Sequence, residues 1–458
     1  MENYNLIIKN LIEKIKDQKF HDIEKNVYRF ICELGCSITK QILEEKELEH
    51  KKTADKNKYI FKGSRNSSVK TIYGEVIYKR RQYKNREDNK YVKKNAFTYY
   101  GMYSENFIKL VEDVISKNSY RDSADIIYKL TGQCISQQSI WNIVQYIGEK
   151  YREKINTIDL FKNNKPIKTD KLFNEMDGIW INMQKSNKRM EEVKVFTSYT
   201  GWNEDGKIDN LLCYAGINSV TEFREIRENL INFTYERSND CLHILNSDGA
   251  KWIKNMVNKS YICQLDRYHL NRAIIQTVKD KEKIKEIFIA IRKGLFNNAI
   301  LIVEKLIDIE KEFSYKKRLK QLKKYLHENF SMLGNYKNLL KYQDYKKVEK
   351  EHGMGIQESL NYTLVAKRMK HNRSSWVVKG ANNMLLLLIT RNNKKYNIDF
   401  SNAIKCIEDN RECDTEGNLI DEILMDKGAG KLKTKVGKGY EYPSKGYITN
   451  RIVSKIIR

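Results

Sequence analysis

The order of the apolar segments between residues 168 and 275 narrows the choice of fold more than any other property of this sequence. Three stretches have the residue content of β-strands: LFNEMDGIWINM from Leu172, VKVFTSYTGW from Val193 and DNLLCYAGI from Asp209. A helical pattern, a strand (CLHIL), a second helical pattern and a last strand (YICQL) follow them. We therefore predict an α+β domain that begins with three antiparallel strands and continues with alternating helices and strands.

The segment CLHILNSDG (241–249) is a nearly continuous apolar run that ends in a carboxylate and a glycine. Such a run is typical of a strand that is buried on both faces. Either Ser247 or Asp248 caps the helix that follows, or the strand delivers Asp248 to a functional site. The element order is that of the ribonuclease-H-like fold, in which the first strand, the fourth strand and the final helix converge.

Two further acidic residues fall on the first strand and the final helix. By the period of two, Asp177 shares its strand face with Phe173, Ile179 and Ile181. In the helical stretch QESLNYTLVAKRM, Glu358 is followed at i+4, i+7 and i+11 by apolar residues, so it is predicted to head a core-facing stripe. A buried carboxylate is costly without a partner or a metal ion.

Each acidic residue also has a purely structural interpretation. Asp177 and Gly178 could form a turn, Asp248 could be a helix cap, and Glu358 could extend into solvent at a helix start. Glu351 is a rival for the third position, but its charged and glycine-rich surroundings favour a solvated loop. Together, Asp177, Asp248 and Glu358 form a set of hard oxygen ligands that suits Mg²⁺, or Mn²⁺ in its place. Two such ions, about 3.5–4 Å apart, support phosphoryl transfer.

The net charge of the chain indicates the class of its binding partner. The chain carries 85 Lys and Arg against 59 Asp and Glu, a formal charge of +26, which favours a polyanion and most simply double-stranded DNA. A lysine-rich codon bias is the competing explanation. The longest apolar run, MLLLLI, is too short to span a membrane, and the amphipathic start does not resemble a signal peptide. With eight cysteines and no CxxC pair, we expect a cytoplasmic protein without membrane, zinc ribbon or disulfide framework.

Periodicity divides the remainder of the chain into flanking modules. The predicted organisation is a helical arm (1–58), a small β-hairpin or sheet (59–100), three short helices (105–155), a first core part (168–275), a helical insertion (276–345), the last core helix (346–392) and a basic tail (393–458).

The three short helices have the layout of a helix-turn-helix, with Ser119 and Ser136 as caps. Gln137, Gln138 and Asn142 would be exposed at the start of the third helix, where such side chains can read adenine edges. A plain helical hairpin with a polar surface is the alternative.

Basic residues elsewhere are candidates for contacts with phosphate groups. Arg80 and Arg81 lie at the end of the hairpin, where a charged, solvated strand edge is equally ordinary. Arg368, Lys370 and Arg373 follow Glu358, and a solvated helix face would also explain them. Trp252 could stack on an extruded base, although packing in the core is favoured.

Four motifs carry a resemblance to a known family: DGIW (177–180), SDGAKWI (247–253), LDRYHLNRA (265–273) and QESLNYTLVAKRMKHNRSSW (357–376). They resemble the DDE transposases of bacterial insertion sequences, most closely the second family of the Lre type and more distantly the Mutator-like transposases. The resemblance covers most of the chain. It implies a ribonuclease-H-like core with Asp177, Asp248 and Glu358 as catalytic and metal-binding residues.

The same resemblance implies a DNA partner, both as element ends and as target, and a homo-oligomer assembled on DNA. A cysteine and a histidine also follow the second aspartate in Mutator-like enzymes, so Cys263, Asp266, His269 and Arg272 are candidate supporting residues. A zinc site would need more ligands than lie nearby. The absence of paired cysteines near residue 60 departs from the pattern. A nuclease that only hydrolyses DNA and a non-enzymatic helix-turn-helix regulator are the alternative functions.

Overall fold

The computed structural model describes residues 2–87, 89, 91–92, 102–158, 165–185, 187–257, 260–338, 352–370 and 374–396. Arg373, the rival Glu351 and the basic tail beyond residue 396 lie outside these ranges. In the described part, no helix has the length and apolarity that crossing a bilayer requires.

The N-terminal region contains the predicted helical arm and hairpin. Its elements are α1 (Glu2–Ile15), α2 (Phe20–Thr53), β1 (Tyr59–Thr71), β2 (Gly74–Asn85) and β3 (Tyr91–Val92). The strands β1 and β2 pair antiparallel. The hairpin packs on α2 through a small apolar cluster that includes Leu43, Val69 and Val76. The described residues of this region thus form two helices and an antiparallel hairpin with a short third strand.

Three helices follow, and their ends are set by the residues that the sequence indicated: α3 (Glu105–Ile115), α4 (Tyr120–Thr131) and α5 (Gln137–Asn156). The Ser119 side chain accepts a hydrogen bond from the N–H of Asp122, and Ser136 accepts one from the N–H of Ser139. Gly132 ends α4 with φ 66°, a left-handed conformation that glycine adopts without strain.

The centre of the molecule is a five-stranded mixed sheet. Its strands are β4 (Ile167–Asn182), β5 (Met190–Tyr199), β8 (Leu212–Gly216), β9 (Tyr235–Ser247) and β10 (Tyr261–Leu265). Between them lie two short strands, β6 (Gly201–Trp202) and β7 (Ile208–Asp209), and two helices, α6 (Val220–Thr234) and α7 (Lys251–Lys254). The strand order is β10-β9-β4-β5-β8. Pairs β4/β5 and β5/β8 are antiparallel, whereas β4/β9 and β9/β10 are parallel. The predicted sequence of strand directions is thus observed.

One predicted helix is much shorter than expected. The stretch 250–259 was expected to be helical, but α7 covers only Lys251–Lys254 and ends at Asn255. Asparagine and valine are poor helix formers, and both follow in NMVN. The described residues directly after α7, 255–257, are therefore not helical.

A helical insertion follows β10 and has an apolar core of its own. It comprises α8 (Arg267–Thr277), α9 (Lys281–Arg292), α10 (Phe296–Ile309) and α11 (Phe313–Glu328), followed by a 3₁₀ turn at Phe330–Met332. Buried residues of this core include Leu270, Ile287, Val303 and Leu319. The described residues of the predicted insertion (276–338) are thus mainly helical.

The chain returns to the sheet through a helix with an irregular middle. After α12 (Ile356–Leu360), a π-helical turn (Asn361–Ala366) leads into α13 (Lys367–Met369), and α14 (Val378–Lys395) follows. A π-helical turn is rare and often occurs at functional sites.

Helix α14 joins the three-helix region to the sheet. A Cβ atom on Gly148 in α5 would lie 2.3 Å from Cβ of Asn383 in α14, so only glycine permits this approach. Buried side chains of α3, α5, α14 and the sheet belong to one apolar core, for example Phe107, Ile140 and Leu385. The three helices therefore pack as part of the same core as the sheet.

Candidate functional site

Two of the predicted acidic residues lie side by side at one end of the sheet. Strands β4 and β9 run parallel, and their register pairs Met176 with Ser247. Asp177 follows Met176 within β4, and Asp248 directly follows Ser247, the last residue of β9. Burial raises the pKa of Asp177, and the negative charge of the nearby Asp248 raises it further. Asp177 lies within β4, so it is not in a turn.

Asp177 is half-buried and has a strongly perturbed environment. Its Oδ1 accepts the N–H of Gly178 at 2.7 Å, and its Oδ2 accepts the Nδ2 of Asn361 at 2.6 Å. Burial raises its pKa to about 6, with a further contribution from Asp248; the hydrogen bonds and the charge of His269 act in the opposite direction. A carboxylate that is this poorly stabilised in its charged form favours a nearby cation.

Asp248 organises the turn at the end of β9. Its Oδ1 accepts the N–H of Ala250 at 2.8 Å, and its main-chain oxygen accepts the hydroxyl of Tyr325 at 3.3 Å. Helix α7 begins after Ala250 without a side-chain cap, so Asp248 is not its cap. Gly249 has φ 83°, and a Cβ there would lie 2.3 Å from Oδ1 of Asn329, which makes glycine necessary at this turn.

The predicted orientation of Glu358 is wrong. Glu358 and Tyr362 are exposed, and the buried side of the helix is formed instead by Gln357, Leu360, Asn361, Leu364 and Val365. The π-helical turn changes the angular spacing between residues, so a regular period of 3.6 does not describe this helix. Glu358 therefore lies in the same helical turn as Asn361, beside the helix face that contacts Asp177.

As the side chains are placed, no three His, Cys, Asp or Glu residues within the described ranges converge closely enough to hold a metal ion. Asp177 and Asp248 form a pair, and Glu358 is offset from it. The structure thus brings two of the three predicted acidic residues together.

Polar residues that the sequence interpretation overlooked complete the site. The Oγ1 of Thr197 donates to Oε1 of Gln357, whose Nε2 donates to Oδ1 of Asn361. Because Oδ1 of Asn361 already accepts this bond, its Nδ2 is directed towards Asp177. Glu175, two residues before Asp177, is completely buried beneath the start of α12. The alternation that assigned Asp177 to its strand face assigns Glu175 to the same face.

The supporting residues divide into a group near the site and a group away from it. Asp266 caps α8 by accepting the N–H of His269 at 3.1 Å, and His269 lies close enough to Asp177 to lower the pKa of that carboxyl group. Cys263 points to the opposite side of β10, because the next residue, Gln264, points towards the site; burial raises the pKa of the Cys263 thiol to about 11. Arg272 is exposed, with its guanidinium 6.0 Å from the Tyr268 ring.

The predicted DNA-reading residues on α5 are exposed. Gln137, Gln138 and Asn142 face solvent at the start of this helix, and Nε2 of Gln138 donates to Oδ1 of Asn142 at 3.1 Å. Lys370 is exposed as well. These four side chains are accessible to a partner.

The arginines predicted to contact phosphate groups are less accessible than expected. Arg80 is buried and Arg81 is half-buried. Arg368 is 8% exposed; its Nε donates to the main-chain oxygen of Ile115, and its guanidinium lies 5.1 Å from the Trp376 ring. Cation–π and hydrogen-bond partners from distant segments hold Arg368 inside the molecule. It therefore has a structural position rather than the surface position expected from the sequence.

Trp252 occupies a packing position. Its ring meets Phe223 edge to face, with 5.8 Å between the centroids, and it packs against the main apolar core.

Comparison with known proteins finds relatives of modest sequence identity. A UPF0236 protein of Caldanaerobacter subterraneus subsp. tengcongensis is 25% identical over 350 residues, which cover 68% of this chain and 70% of the relative. A UPF0236 protein in the vanSb 3′ region of Streptococcus gallolyticus is 26% identical over 352 residues, or 73% of this chain and 74% of the relative. The family model of UPF0236, an uncharacterised protein family, matches residues 15–398. The chain belongs to the UPF0236 family.

Proposed function

We propose that this protein is a DDE-type transposase that binds the ends of an insertion sequence and catalyses Mg²⁺-dependent DNA cleavage and strand transfer. The observation that carries the proposal is that Asp177 on β4 and Asp248, which directly follows β9, come one residue after the last paired positions of these two parallel strands. The strand order β10-β9-β4-β5-β8, with only β5 antiparallel to its neighbours, supports the proposal of a ribonuclease-H-like core. Ligand and catalytic groups at the carboxyl ends of parallel strands are the usual arrangement in open sheets.

The names of the relatives give independent support. One relative from Caldanaerobacter subterraneus carries a single protein name that combines eleven locus designations, and another combines four. A protein encoded at many loci of one genome is expected when a mobile element copies itself. A housekeeping enzyme or a regulator has no comparable reason to occur in this form.

The residues present fit a divalent cation. Asp177 and Asp248 supply neighbouring carboxylates, and burial, together with the negative charge of Asp248, raises the pKa of Asp177 and so disfavours its charged form without a cation. Glu358 is in the helical turn that contacts Asp177 and is the proposed third ligand. When bound, divalent ions supply the Lewis acidity that phosphoryl transfer requires.

The other residues of the site have orienting roles in this proposal. Asn361 holds Oδ2 of Asp177 in one direction, and Gly178 holds Oδ1. Tyr325 of the insertion contacts the main chain of Asp248, so the insertion helps to fix the second carboxylate. His269 adds a titratable group near Asp177 that can contact a bound phosphate.

The DNA contacts are assigned to accessible side chains. Gln137, Gln138 and Asn142 on α5 are proposed to read bases, in a helix-turn-helix formed by α4 and α5. Lys370 is proposed to contact a phosphate group next to the active site. The net charge of +26 supports a polyanionic partner. Assembly of a homo-oligomer on DNA is part of the proposal.

The experiment uses a plasmid that carries the DNA flanking the gene on both sides. The purified full-length chain is incubated with this plasmid, a target plasmid and Mg²⁺, Mn²⁺ or Ca²⁺, and the new 3′ ends and joined products are sequenced. We expect cleavage at fixed borders and joining to the target with Mg²⁺ or Mn²⁺. Asp177→Ala and Asp248→Ala should bind the DNA without cleaving it. Asp205→Ala, which removes an exposed carboxylate on the β6–β7 turn, is the matched control and should be active.

The two alternative functions give different results in the same assay. A nuclease would cleave but would not join ends that are supplied already cut. A non-enzymatic regulator would bind DNA equally well with Asp177 and Asp248 intact or replaced, and would not cleave. Cleavage by the wild-type chain that persists in both aspartate variants would refute the proposed site.

A further inference from the structure

A second acidic residue on β4, Glu175, lies beneath the start of the helix that carries Glu358. Its side chain is completely inaccessible to solvent. A buried carboxylate is strongly destabilising unless hydrogen bonds or charges compensate for lost hydration. The partners of Glu175 therefore indicate why it is tolerated there.

Five donors surround the Glu175 carboxylate. Three are main-chain N–H groups at the start of α12: Gly355 at 3.0 Å and Ile356 at 3.3 Å donate to Oε1, and Gln357 at 3.3 Å donates to Oε2. The hydroxyl of Tyr199 donates to Oε1 at 2.8 Å, and Nδ2 of Asn246 donates to Oε2 at 3.1 Å. Every partner is a donor, so the ionised carboxylate matches its surroundings.

The same carboxylate belongs to a buried row of polar side chains that crosses the sheet. Asn246 on β9 accepts a bond from Nε2 of Gln264 on β10, and Oε1 of Gln264 accepts the N–H of Tyr336. The hydroxyl of Tyr336 donates to the main-chain oxygen of His352, at 2.5 Å. The row therefore contacts the chain where it leaves the insertion and where it returns to the sheet.

We propose that Glu175 is a positioning residue, which docks the first turn of α12 on the sheet and thereby places Glu358 beside Asp177 and Asp248. This inference rests on the proposed function. Glu175 itself is not a metal ligand, because it is completely buried and each of its oxygens accepts two or three hydrogen bonds, whereas each oxygen of Asp177 accepts one. Glu175, which anchors α12, and the candidate ligand Asp177 lie two residues apart on the same face of β4. The same strand therefore fixes both the position of α12 and the position of Asp177.

The variant Glu175→Gln tests the docking because it keeps the shape of the side chain. One carboxylate oxygen would become an NH₂ group, which cannot accept a hydrogen bond. In place of Oε2 it would face the donors Asn246 and Gln357, and in place of Oε1 it would face the donors around that oxygen. Tyr199→Phe is a milder variant that removes a single donor and keeps the carboxylate. Asn174→Asp is the matched control: it exchanges an amide and a carboxylate at a completely buried position on the same strand but on the opposite face.

Two measurements on the full-length variants separate positioning from a general loss of stability. Hydrogen exchange followed by mass spectrometry reports protection of the amides at 355–357 relative to those of β8. Cleavage of the flanking-DNA plasmid is titrated with Mg²⁺, and Mn²⁺ affinity is measured by calorimetry without DNA.

In Glu175→Gln we expect exchange at 355–357 to accelerate about tenfold or more relative to β8, as for the loss of a charge-assisted hydrogen bond. The Mg²⁺ concentration for half-maximal cleavage should rise, and the Mn²⁺ affinity should fall, by about tenfold for the same reason. Tyr199→Phe should show smaller shifts in the same directions. Asn174→Asp should lower the melting temperature and leave both metal measurements within about twofold of the wild type.

Unchanged protection at 355–357 in Glu175→Gln would overturn the docking. If Glu175→Gln loses protection at 355–357 but keeps the wild-type Mg²⁺ dependence and Mn²⁺ affinity, docking of α12 does not place the metal ligand, and that part of the inference is overturned. A wild-type chain that neither cleaves DNA nor binds Mn²⁺ would instead refute the proposed function and the catalytic part of this inference. In that case the exchange measurement would still decide whether Glu175 holds α12.

Discussion

The two faces of strand β4 differ in what their buried polar residues do. On one face, Asn174 contacts Ser198 of the neighbouring strand and Arg227 of α6, so its partners belong to the sheet and the helix that covers it. On the other face, Glu175 and Asp177 contact the helical segment 355–361, which the chain reaches only after the long insertion. Polar residues on one face of β4 thus contact neighbouring parts of the sheet and its covering helix. Those on the other face contact a segment that is distant in sequence.

We therefore expect substitutions on the two faces of β4 to differ in whether they affect the stability of the fold or the proposed reaction. Substitutions on the α6 face should destabilise the fold and leave metal dependence unchanged. Substitutions on the face of Asp177 should change the reaction more than the fold.

The largest effect is expected at the paired carboxylates. If the proposal is correct, Asp177→Ala or Asp248→Ala should lower the cleavage rate at least about a thousandfold, since a carboxylate proposed to hold the cations is lost. DNA affinity, measured by fluorescence anisotropy at fixed salt, should be unchanged within about threefold because the proposed phosphate and base contacts are made by other residues. A reduction of the cleavage rate by less than tenfold in both variants would place the reaction elsewhere.

The next largest effect is expected on the opposite face of β4, which α6 covers. Arg227 is completely buried; it contacts Asn174, Tyr261 and, at 2.5 Å, the half-exposed carboxylate of Glu228. Arg227→Met should lower the free energy of unfolding by about 2 kcal/mol, because buried acceptors lose a charged donor. Urea denaturation provides the measurement. The Mg²⁺ dependence of cleavage should be that of the wild type, and a tenfold change in it would contradict the separation of the two faces.

A smaller effect is expected on α5, at a distance from both faces. Gln138→Ala should weaken binding to the element ends by about 1 kcal/mol, or about fivefold, and should leave binding to unrelated DNA unchanged. Titration of both DNAs at several salt concentrations tests this prediction. The salt dependence should be the same as in the wild type, since a glutamine contacts no phosphate through a charge. Equal losses on both DNAs would argue against base reading by this helix.

The smallest expected effect is a pH dependence of stability, which arises on the face of the sheet that is covered by α6. Burial, with the charges of Arg237 and Arg227, lowers the pKa of His243 to about 4, whereas the unfolded chain has the ordinary value of 6.5. The unfolded state therefore binds more protons between these values, and stability that is present above pH 6.5 is lost as the pH falls to about 4. His243→Phe should flatten the pH profile of the melting temperature in this window. A profile that keeps its slope would assign the effect to other groups.

The sequence allowed the order and direction of the main strands to be predicted, because alternation and apolar runs depend on local residue type. It also identified Asp177 and Asp248, which terminate or interrupt otherwise apolar strand segments. Glu358 was assigned to the wrong side of its helix, since a π-helical turn changes the period and is not visible in a residue pattern. Its location within α12 was nevertheless correct.

Other errors arose from partners that are distant in sequence. The sequence around Arg368 is typical of a surface helix, but Ile115 and Tyr120, which lie far earlier in the chain, enclose its side chain. Glu175 was overlooked because its partners at residues 355–357 are about 180 positions away. The apolar neighbours of Glu175 indicated burial, but only the tertiary structure shows which donors compensate for it.

The most direct test of the proposed metal centre is anomalous diffraction at the manganese edge from crystals of the DNA-bound protein grown with Mn²⁺. The account predicts a peak between Asp177 and Asp248, with a carboxylate oxygen of Glu358 within about 2.5 Å of an ion, as hard divalent cations require. Manganese bound at other residues, or a filled site that Glu358 does not reach, would contradict it.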